Sequence, residues 1–148
     1  MKNRLLFRLT VVSAVLFSPV FLAAQTFNHF AICVKDLKKA SDFYTNVMQL
    51  KTIRHPFNDT VHHWYSIGPG LQLHVIKADC PPVVHDINIH LCFSVPSLPD
   101  FMKHLDEYHI KYGDWQGNYK KTQHRPDGVT QIYLQDPDGY WIEVNDAK

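Results

Sequence analysis

Residues 131–146 read Gln-Ile-Tyr-Leu-Gln-Asp-Pro-Asp-Gly-Tyr-Trp-Ile-Glu-Val-Asn-Asp, and this stretch decides the fold. Asp136-Pro137-Asp138-Gly139 has the residues that a type I turn favours at its first, second and fourth positions. Runs of β-prone residues flank the turn, which predicts a hairpin. Alternation in the second strand puts Glu143 mid-strand between large apolar residues. A buried carboxylate needs a strong partner, and a metal ion is one of the few available.

The same pattern of strand, turn and strand occurs earlier, at residues 64–76, around Pro69-Gly70. Aligning Gly70 on Gly139 puts His74 on Glu143. Residues 29–37 also match residues 90–98, with His29 on His90. A fixed repeat of this kind predicts two similar halves, each with one ionisable residue near its start and one near its end.

Each half is predicted to be a βαβββ module in an α+β protein. Two such modules, paired edge to edge, would form one curved mixed sheet, a half-barrel with the helices on its outer face. The four repeated ionisable residues would then face a common metal cavity. Module 1 covers about residues 27–78, with predicted strands at 27–34, 50–56, 61–67 and 71–77 and a helix that starts at Leu37. Module 2 covers about residues 87–146, with predicted strands at 87–95 and 110–115, the two hairpin strands and a helix after Ser97. A linker is predicted at about 79–86 and a polar loop at 116–128.

Residues 1–24 have the composition of a secretory signal peptide. Lys2, Arg4 and Arg8 precede an apolar stretch that ends in small residues before Gln25. A membrane anchor is the alternative, but a span needs about 20 apolar residues and this stretch, 9–24, is shorter and interrupted by Pro19. We therefore expect a single mature domain, 25–148, that is exported to the periplasm or secreted and has no membrane association after cleavage.

The charge balance argues against nucleic-acid binding. The whole chain has 15 basic and 14 acidic residues, and three of the basic ones fall in the predicted signal peptide. The remainder is slightly acidic, which gives no electrostatic footprint for nucleic acid. The partner we expect is a small-molecule substrate.

The cysteines leave at least one thiol unpaired, because there are three of them, Cys33, Cys80 and Cys92. Cys33 and Cys92 fall inside predicted strands, and we interpret both as small buried hydrophobic residues.

These motifs resemble the vicinal oxygen chelate superfamily over about residues 27–146. The pattern from His29 to Val34, Asp36 and Leu37, followed by Phe43-Tyr44, is similar to the start of those domains, and the Asp-Pro-Asp-Gly-Tyr-Trp-Ile-Glu-Val ending is similar to their close. That group includes glyoxalase I, extradiol dioxygenases, fosfomycin-resistance thiol transferases and bleomycin-binding proteins. The chain looks most like small glyoxalase I-like members.

The resemblance implies a metal set of His29, His74, His90 and Glu143. Imidazole and carboxylate ligands suit one divalent transition metal, Zn, Ni, Mn, Co or Fe(II). It also implies a lyase or isomerase reaction on a small molecule with vicinal oxygens, with Glu143 as the catalytic residue that moves a proton. A homodimer with swapped modules and a site closed within one chain are both open.

One position departs from the glyoxalase I pattern. His74 stands where glyoxalase I usually has a carboxylate, which leaves His29, His90 and Glu143 similar to the ligand sets of Fe(II) dioxygenases and thiol transferases. Both remain alternatives, as does a metal-free binding or resistance protein. A lone strand histidine is usually structural, but four ionisable residues at repeated positions favour a ligand set.

Four further residues are candidates for substrate contacts. Gln72 and Trp141 flank the predicted ligands on the same face, and Trp64 lies on the neighbouring strand, where core packing is the alternative. Arg125, in the polar loop with Lys120, Lys121 and His124, could hold an anionic substrate, although such a run is more often solvated.

Overall fold

Two mixed β-sheets and two short helices make up the part of the chain that the computed structural model describes, residues 25–82 and 84–148. The predicted signal peptide lies outside these residues. Module 1 contains β1 (His29–Val34), α1 (Leu37–Asp42), a π-helical turn (Phe43–Val47), β2 (Lys51–Ile53), β3 (His62–Gly68) and β4 (Leu71–Lys77). Module 2 contains β5 (His90–Ser94), α2 (Leu98–Glu107), β6 (Tyr112–Gly113), β7 (Gln123–His124), β8 (Thr130–Gln135) and β9 (Trp141–Asn145).

The two sheets have the same topology, which confirms the predicted duplication. The first has the strand order β1-β4-β3-β2 and the second β5-β9-β8-β6, with the short β7 also pairing with β8. In each module the first strand runs parallel to the last, so that Ala31 pairs with His74 and Cys92 with Glu143. The fold is α+β, and neither sheet closes into a barrel within residues 25–82 and 84–148.

The closing hairpin forms as its turn residues predict. The Gly139 amide donates to the Asp136 carbonyl at 3.1 Å, and the Asp136 carboxylate accepts from the amides of Asp138 and Tyr140 at 3.0 and 2.8 Å. Gly139 has a φ of 92°, a left-handed conformation that favours glycine. This turn fixes the register of β8 against β9, in which Tyr133 lies opposite Glu143.

The apolar faces of both modules contribute to one core. Ile32 of β1, Val75 of β4 and Ile142 of β9 are all buried there. Tyr44 is fully buried, and its hydroxyl donates to the Asp136 carboxylate at 2.8 Å. Burial raises the pKa of Asp136 despite this hydrogen bond. The contact links the helical segment of module 1 to the hairpin turn of module 2.

Three elements are shorter than predicted or differ in type. The predicted strand 50–56 pairs only over Lys51–Ile53, and Pro56, which has no N–H, cannot donate a hydrogen bond to extend the ladder. The predicted strand 110–115 pairs only over Tyr112–Gly113, since Asp114 turns the chain by bonding Asn118. Helix α1 widens into a π-helical turn after Asp42, for which we found no signal in the sequence.

The interpretation of Cys33 as a buried free thiol is wrong. Cys33 forms a disulfide with Cys80, and Cys92 is the free cysteine. The parallel pairing of β1 with β4 explains the bond: Cys33 lies beside Ile76, and the chain leaving β4 passes β1 again, with the Ala78 amide donating to the Val34 carbonyl at 3.2 Å. Cys92 is exposed rather than buried.

Neither helix in the described ranges has the length and apolar character needed to span a bilayer.

Candidate functional site

Strand alternation puts the four predicted ligands on the sheet faces that point away from the core. His29 of β1 and His74 of β4 belong to the first sheet, and His90 of β5 and Glu143 of β9 to the second. Their neighbours along each strand, such as Val75 and Val144, are fully buried in the core. Each sheet therefore carries one pair of predicted ligands.

The first pair is a stack of rings. The imidazole of His74 lies parallel to that of His29, with centroids 4.3 Å apart, and the Trp64 indole covers its other side at 3.7 Å. The Nε2 atom of His74 lies 2.8 Å from Oε1 of Gln72. Burial, followed by the nearby His29, lowers the pKa of His74. The ring is therefore neutral at pH 7, the form in which an imidazole can bind a metal.

The second pair brings an imidazole against a carboxylate. His90 Nδ1 lies 2.6 Å from the carbonyl oxygen of Ile87, which can only accept, so this nitrogen carries a hydrogen. In the neutral ring the lone pair is then on Nε2, which lies 3.3 Å from Oε2 of Glu143. Two lone pairs facing each other repel unless a cation lies between them, and either a proton or a divalent metal would satisfy this arrangement.

Glu143 is held by several donors. Its Oε1 accepts from the Asn145 side-chain amide at 2.9 Å and from the Cys92 thiol at 3.2 Å, and its Oε2 accepts from the Tyr133 hydroxyl at 2.8 Å. Burial alone would raise the pKa of Glu143, but these hydrogen bonds and His90 outweigh it, and the pKa lies below its usual value. The side chain is thus a fixed, ionised carboxylate although only 5% of it is exposed.

The donors around Glu143 stay protonated. Although Cys92 is exposed as a residue, its thiol lies against Glu143 and is partly shielded from water; this desolvation and the hydrogen bond to Glu143 raise the pKa of Cys92 to about 12. The same two causes raise the pKa of Tyr133. The Gln131 side-chain amide in turn donates to the Tyr133 hydroxyl at 2.7 Å, which fixes the phenol. Tyr133 and Asn145 are not among the predicted site residues, although the hairpin register and strand alternation place both on the face of Glu143.

The two pairs do not converge on one point. Among residues 25–82 and 84–148, no three or more histidine, cysteine, aspartate or glutamate side chains lie close enough together to hold a metal ion. The set of His29, His74, His90 and Glu143 as ligands of a single metal therefore stays a prediction.

The candidates for substrate contacts are already engaged with neighbouring groups. Gln72 and Trp64 contact His74, and the Trp141 indole N–H donates to the His85 carbonyl at 2.9 Å. Arg125 Nη1 lies 3.7 Å from Glu143 Oε1, while its Nη2 pairs with Asp127. In the structure, Gln72 and Trp64 position a predicted ligand, and Arg125 adds positive charge beside Glu143.

The chain belongs to the Glyoxalase/Bleomycin resistance protein/Dioxygenase superfamily, whose family model matches residues 26–144. It is 26% identical over 156 residues to a lactoylglutathione lyase of Pseudomonas putida, covering 82% of this chain and 85% of that protein. It is 24% identical over 129 residues to Glyoxylase I 4 of Arabidopsis thaliana, covering 83% and 71%.

Solved structures show the same fold at lower identity. A crystal structure described as a glyoxalase family protein from Bacillus anthracis superposes with a TM-score of 0.67 at 22% identity, covering 85% of this chain and 98% of that one. The fosfomycin resistance protein FosX from Listeria monocytogenes gives 0.66 at 18% identity, covering 85% and 96%. The predicted family and the predicted βαβββ duplication are both confirmed.

Proposed function

We propose that this chain is a glyoxalase-like enzyme that depends on one divalent metal and performs a lyase or isomerase reaction on a small molecule with vicinal oxygens. The observation that carries the proposal is the His90–Glu143 pair, in which the imidazole Nε2 lies 3.3 Å from Oε2 of an ionised carboxylate. The lactoylglutathione lyase relative from Pseudomonas putida supports the same reaction class. His29, His74, His90 and Glu143 would hold the metal.

A bound divalent metal would supply Lewis-acid stabilisation of negative charge on substrate oxygen. The chain's own contribution is to orient the carboxylate and to move a proton at it. Glu143 is the catalytic base, and the hydrogen bonds from Tyr133, Cys92 and Asn145 fix both of its oxygens before substrate binds. Preorganisation of this kind lowers the cost of reaching the reactive geometry.

His74 bears on the choice of reaction. It stacks on His29, and because imidazole binds a metal in its neutral form, the set would have one negative charge, from Glu143. Such a set is also typical of Fe(II) dioxygenases and of thiol transferases, which remain the alternatives within the superfamily. The identity of the bound metal separates them, because iron favours oxygen-dependent ring cleavage and zinc or nickel favours proton transfer.

The separation of the two pairs supports a homodimer in which each metal site takes His29 and His74 from one copy and His90 and Glu143 from the other. Closure of both pairs within one chain is the competing assembly. A binding protein without metal would need neither of these two assemblies.

Metal content is the first test. The protein comprising residues 25–148, purified without chelator, is expected to contain one equivalent of a divalent transition metal. Glu143→Ala and His90→Ala should both lose it. The matched control is His124→Ala, which removes an exposed histidine of β7 and should retain the metal. Absence of metal, with no uptake of Zn, Ni, Mn or Fe(II), would reject the enzyme and leave a binding protein.

Mixing two inactive variants tests the assembly. His29→Ala and Glu143→Ala each lack one ligand, and in a shared site mixed dimers contain one intact site. Unfolding and refolding the two together should recover about a quarter of the metal per chain that the unmodified protein binds, by random pairing. No recovery, with a monomeric mass in solution, would place the site within one chain.

Export of the protein is also part of the proposal. Two observations support it: the predicted signal peptide at 1–24, and the Cys33–Cys80 disulfide, a bond typical of oxidising compartments. Expression of the full chain should yield a shortened product beginning near Gln25 outside the cytoplasm, as read by intact-mass measurement of cell fractions.

A further inference from the structure

The chain between β6 and β7 forms a tightly held loop. The Asp114 carboxylate accepts from the backbone amide and the side-chain amide of Asn118, at 2.8 and 2.9 Å. Gly113 makes the turn possible, because a Cβ atom there would lie 2.5 Å from the Asn118 carbonyl oxygen. The loop is therefore fixed by its own contacts and does not depend on a partner for its shape.

This loop holds two aromatic side chains in exposed positions. Trp115 is 36% exposed and Tyr119 60%. Trp115 packs edge to face on Tyr133, with ring centroids 5.5 Å apart. Tyr119 is the more exposed of the two rings and forms one wall of a neighbouring cavity.

A cavity of about 520 Å³ opens beside the loop. Its walls include the rings of Tyr119, Tyr133 and Trp141, which come from the loop, β8 and β9. The volume lies within the range of small-molecule sites, about 300 to 1,000 Å³. Aromatic walls on several sides favour a flat ring, which can stack or pack edge to face against them.

The cavity adjoins Glu143. Tyr133 belongs to both places, because its ring lines the cavity and its hydroxyl donates to Glu143 Oε2 at 2.8 Å. Trp141 lines the cavity two residues before Glu143 on the same face of β9. A group bound in the cavity would therefore lie next to the carboxylate that acts on the substrate.

We propose that this cavity is the subsite for a planar aromatic ring, so that the substrate is an aryl compound whose vicinal oxygens reach the metal set. The subsite itself needs only the residues of module 2. Its assignment to the substrate rests on the proposed function.

The test uses a ring that has no vicinal oxygens and protein that has no metal. 2-Naphthol is titrated into the metal-free protein, and the three tryptophan indole N–H signals are followed by ¹⁵N–¹H NMR. The Trp141 signal should shift and saturate, because Trp141 lines the cavity, while that of Trp64, which lies against His74 in module 1, should not. Decahydro-2-naphthol, which has the same carbon skeleton but is not planar, should bind at least tenfold more weakly.

Variants locate the binding. Tyr119→Leu and Trp141→Leu, which each remove one aromatic wall of the cavity, should each weaken 2-naphthol binding roughly three- to tenfold, the loss expected for one aromatic contact. Tyr108→Leu is the control, because Tyr108 is an exposed aromatic residue at the end of α2 and does not line the cavity. No saturable shift of the Trp141 signal, equal binding of the saturated compound, or unchanged affinity in both Tyr119→Leu and Trp141→Leu would overturn the subsite.

The outcome is separable from that of the proposed function. Ring binding by a protein that takes up no metal would leave the subsite intact and reject the metalloenzyme. Metal uptake without ring binding would reject the subsite alone.

Discussion

In module 1 the first strand is joined to the rest of its module by a covalent bond, whereas in module 2 the equivalent strand is held by side-chain hydrogen bonds. The alignment of His29 on His90 puts Cys33 on Ser94. Cys33 is bonded to Cys80 beyond β4, while the Ser94 hydroxyl donates to the Asn145 side chain of β9 at 2.9 Å. The two modules have the same fold, but the edge strand is attached by a disulfide in one and by side-chain hydrogen bonds in the other.

The predicted ligand pairs of the two modules are also held in place by different kinds of contact. The histidines of module 1 are positioned by stacking, with His74 held between His29 and Trp64. Glu143 of module 2 is positioned by directional hydrogen bonds, from Tyr133 and Asn145 among others. The imidazole of His74, whose pKa is lowered, suits contact with an aromatic ring, whereas a buried negative charge requires donors. The contacts around each predicted ligand therefore match its charge: rings surround His74, and hydrogen-bond donors surround Glu143.

Removal of the disulfide should have the largest effect. Cys33→Ser with Cys80→Ser frees a loop whose ends are 47 residues apart. Chain entropy then predicts a loss of about 4 kcal/mol in the free energy of unfolding. Urea unfolding measures it, with Cys92→Ser as the control that keeps the disulfide. A loss below about 1 kcal/mol would show that β1 is held by something other than the bond.

Loss of the Tyr44–Asp136 hydrogen bond between the modules should have the next largest effect on stability. Tyr44→Phe removes the only side chain described as donating to the buried Asp136 carboxylate. A buried acceptor that loses a partner costs about 1 to 3 kcal/mol. Thermal unfolding followed separately by tryptophan fluorescence and by circular dichroism should show one transition, shifted to lower temperature. Two separated transitions would mean that the modules unfold independently. Tyr108→Phe, at an exposed site, is the control.

Substitution of Ser94, the module 2 counterpart of Cys33, should lower the free energy of unfolding by a smaller amount. Ser94→Ala removes one hydrogen bond to Asn145, which is worth about 1 kcal/mol. The matched control is Ser66→Ala in β3, whose hydroxyl makes a long 3.5 Å contact with the Gly68 carbonyl. If Ser94→Ala destabilises the protein as much as loss of the disulfide does, the contrast between the modules is wrong.

The smallest effect should appear in the pH dependence. The pKa of Glu143 is lower in the folded protein than the ordinary value of 4.5. The folded state therefore gains stability from ionised Glu143 above pH 4.5, and this gain is lost as the pH falls through the lowered pKa. Glu143→Gln should unfold with a shallower dependence on pH below 4.5 than the metal-free parent does. Glu107→Gln, at an exposed position, should leave the dependence unchanged; a steeper one in Glu143→Gln would contradict the lowered pKa.

Most of the fold follows from local patterns in the sequence. The Asp136–Gly139 turn, the alternation in β9 and the repeat of His29 on His90 predict the hairpin, the strand faces and the duplication. Tyr133 could also have been predicted beside Glu143, because the turn fixes which residues lie opposite one another in the hairpin.

Other features depend on contacts that are distant in sequence. Cys33 could pair with either of two cysteines, and only the parallel path of β1 beside β4 selects Cys80. The position of Trp115 on Tyr133 depends on a loop closed by Asp114 and Asn118, whose polar composition suggested a solvated segment. Whether the two ligand pairs meet is a property of assembly, which no local pattern encodes.

The free thiol has a consequence for the durability of the disulfide. A third cysteine in the same chain can attack an existing bond and scramble the pairing, but only as a thiolate. The Cys92 thiol is partly shielded from water and donates a hydrogen bond to Glu143, and these two effects raise its pKa to about 12. At pH 7 only about one molecule in 10⁵ carries the reactive form. Desolvation of the Cys92 sulfur and its hydrogen bond to Glu143 together disfavour the thiolate that could attack the Cys33–Cys80 bond.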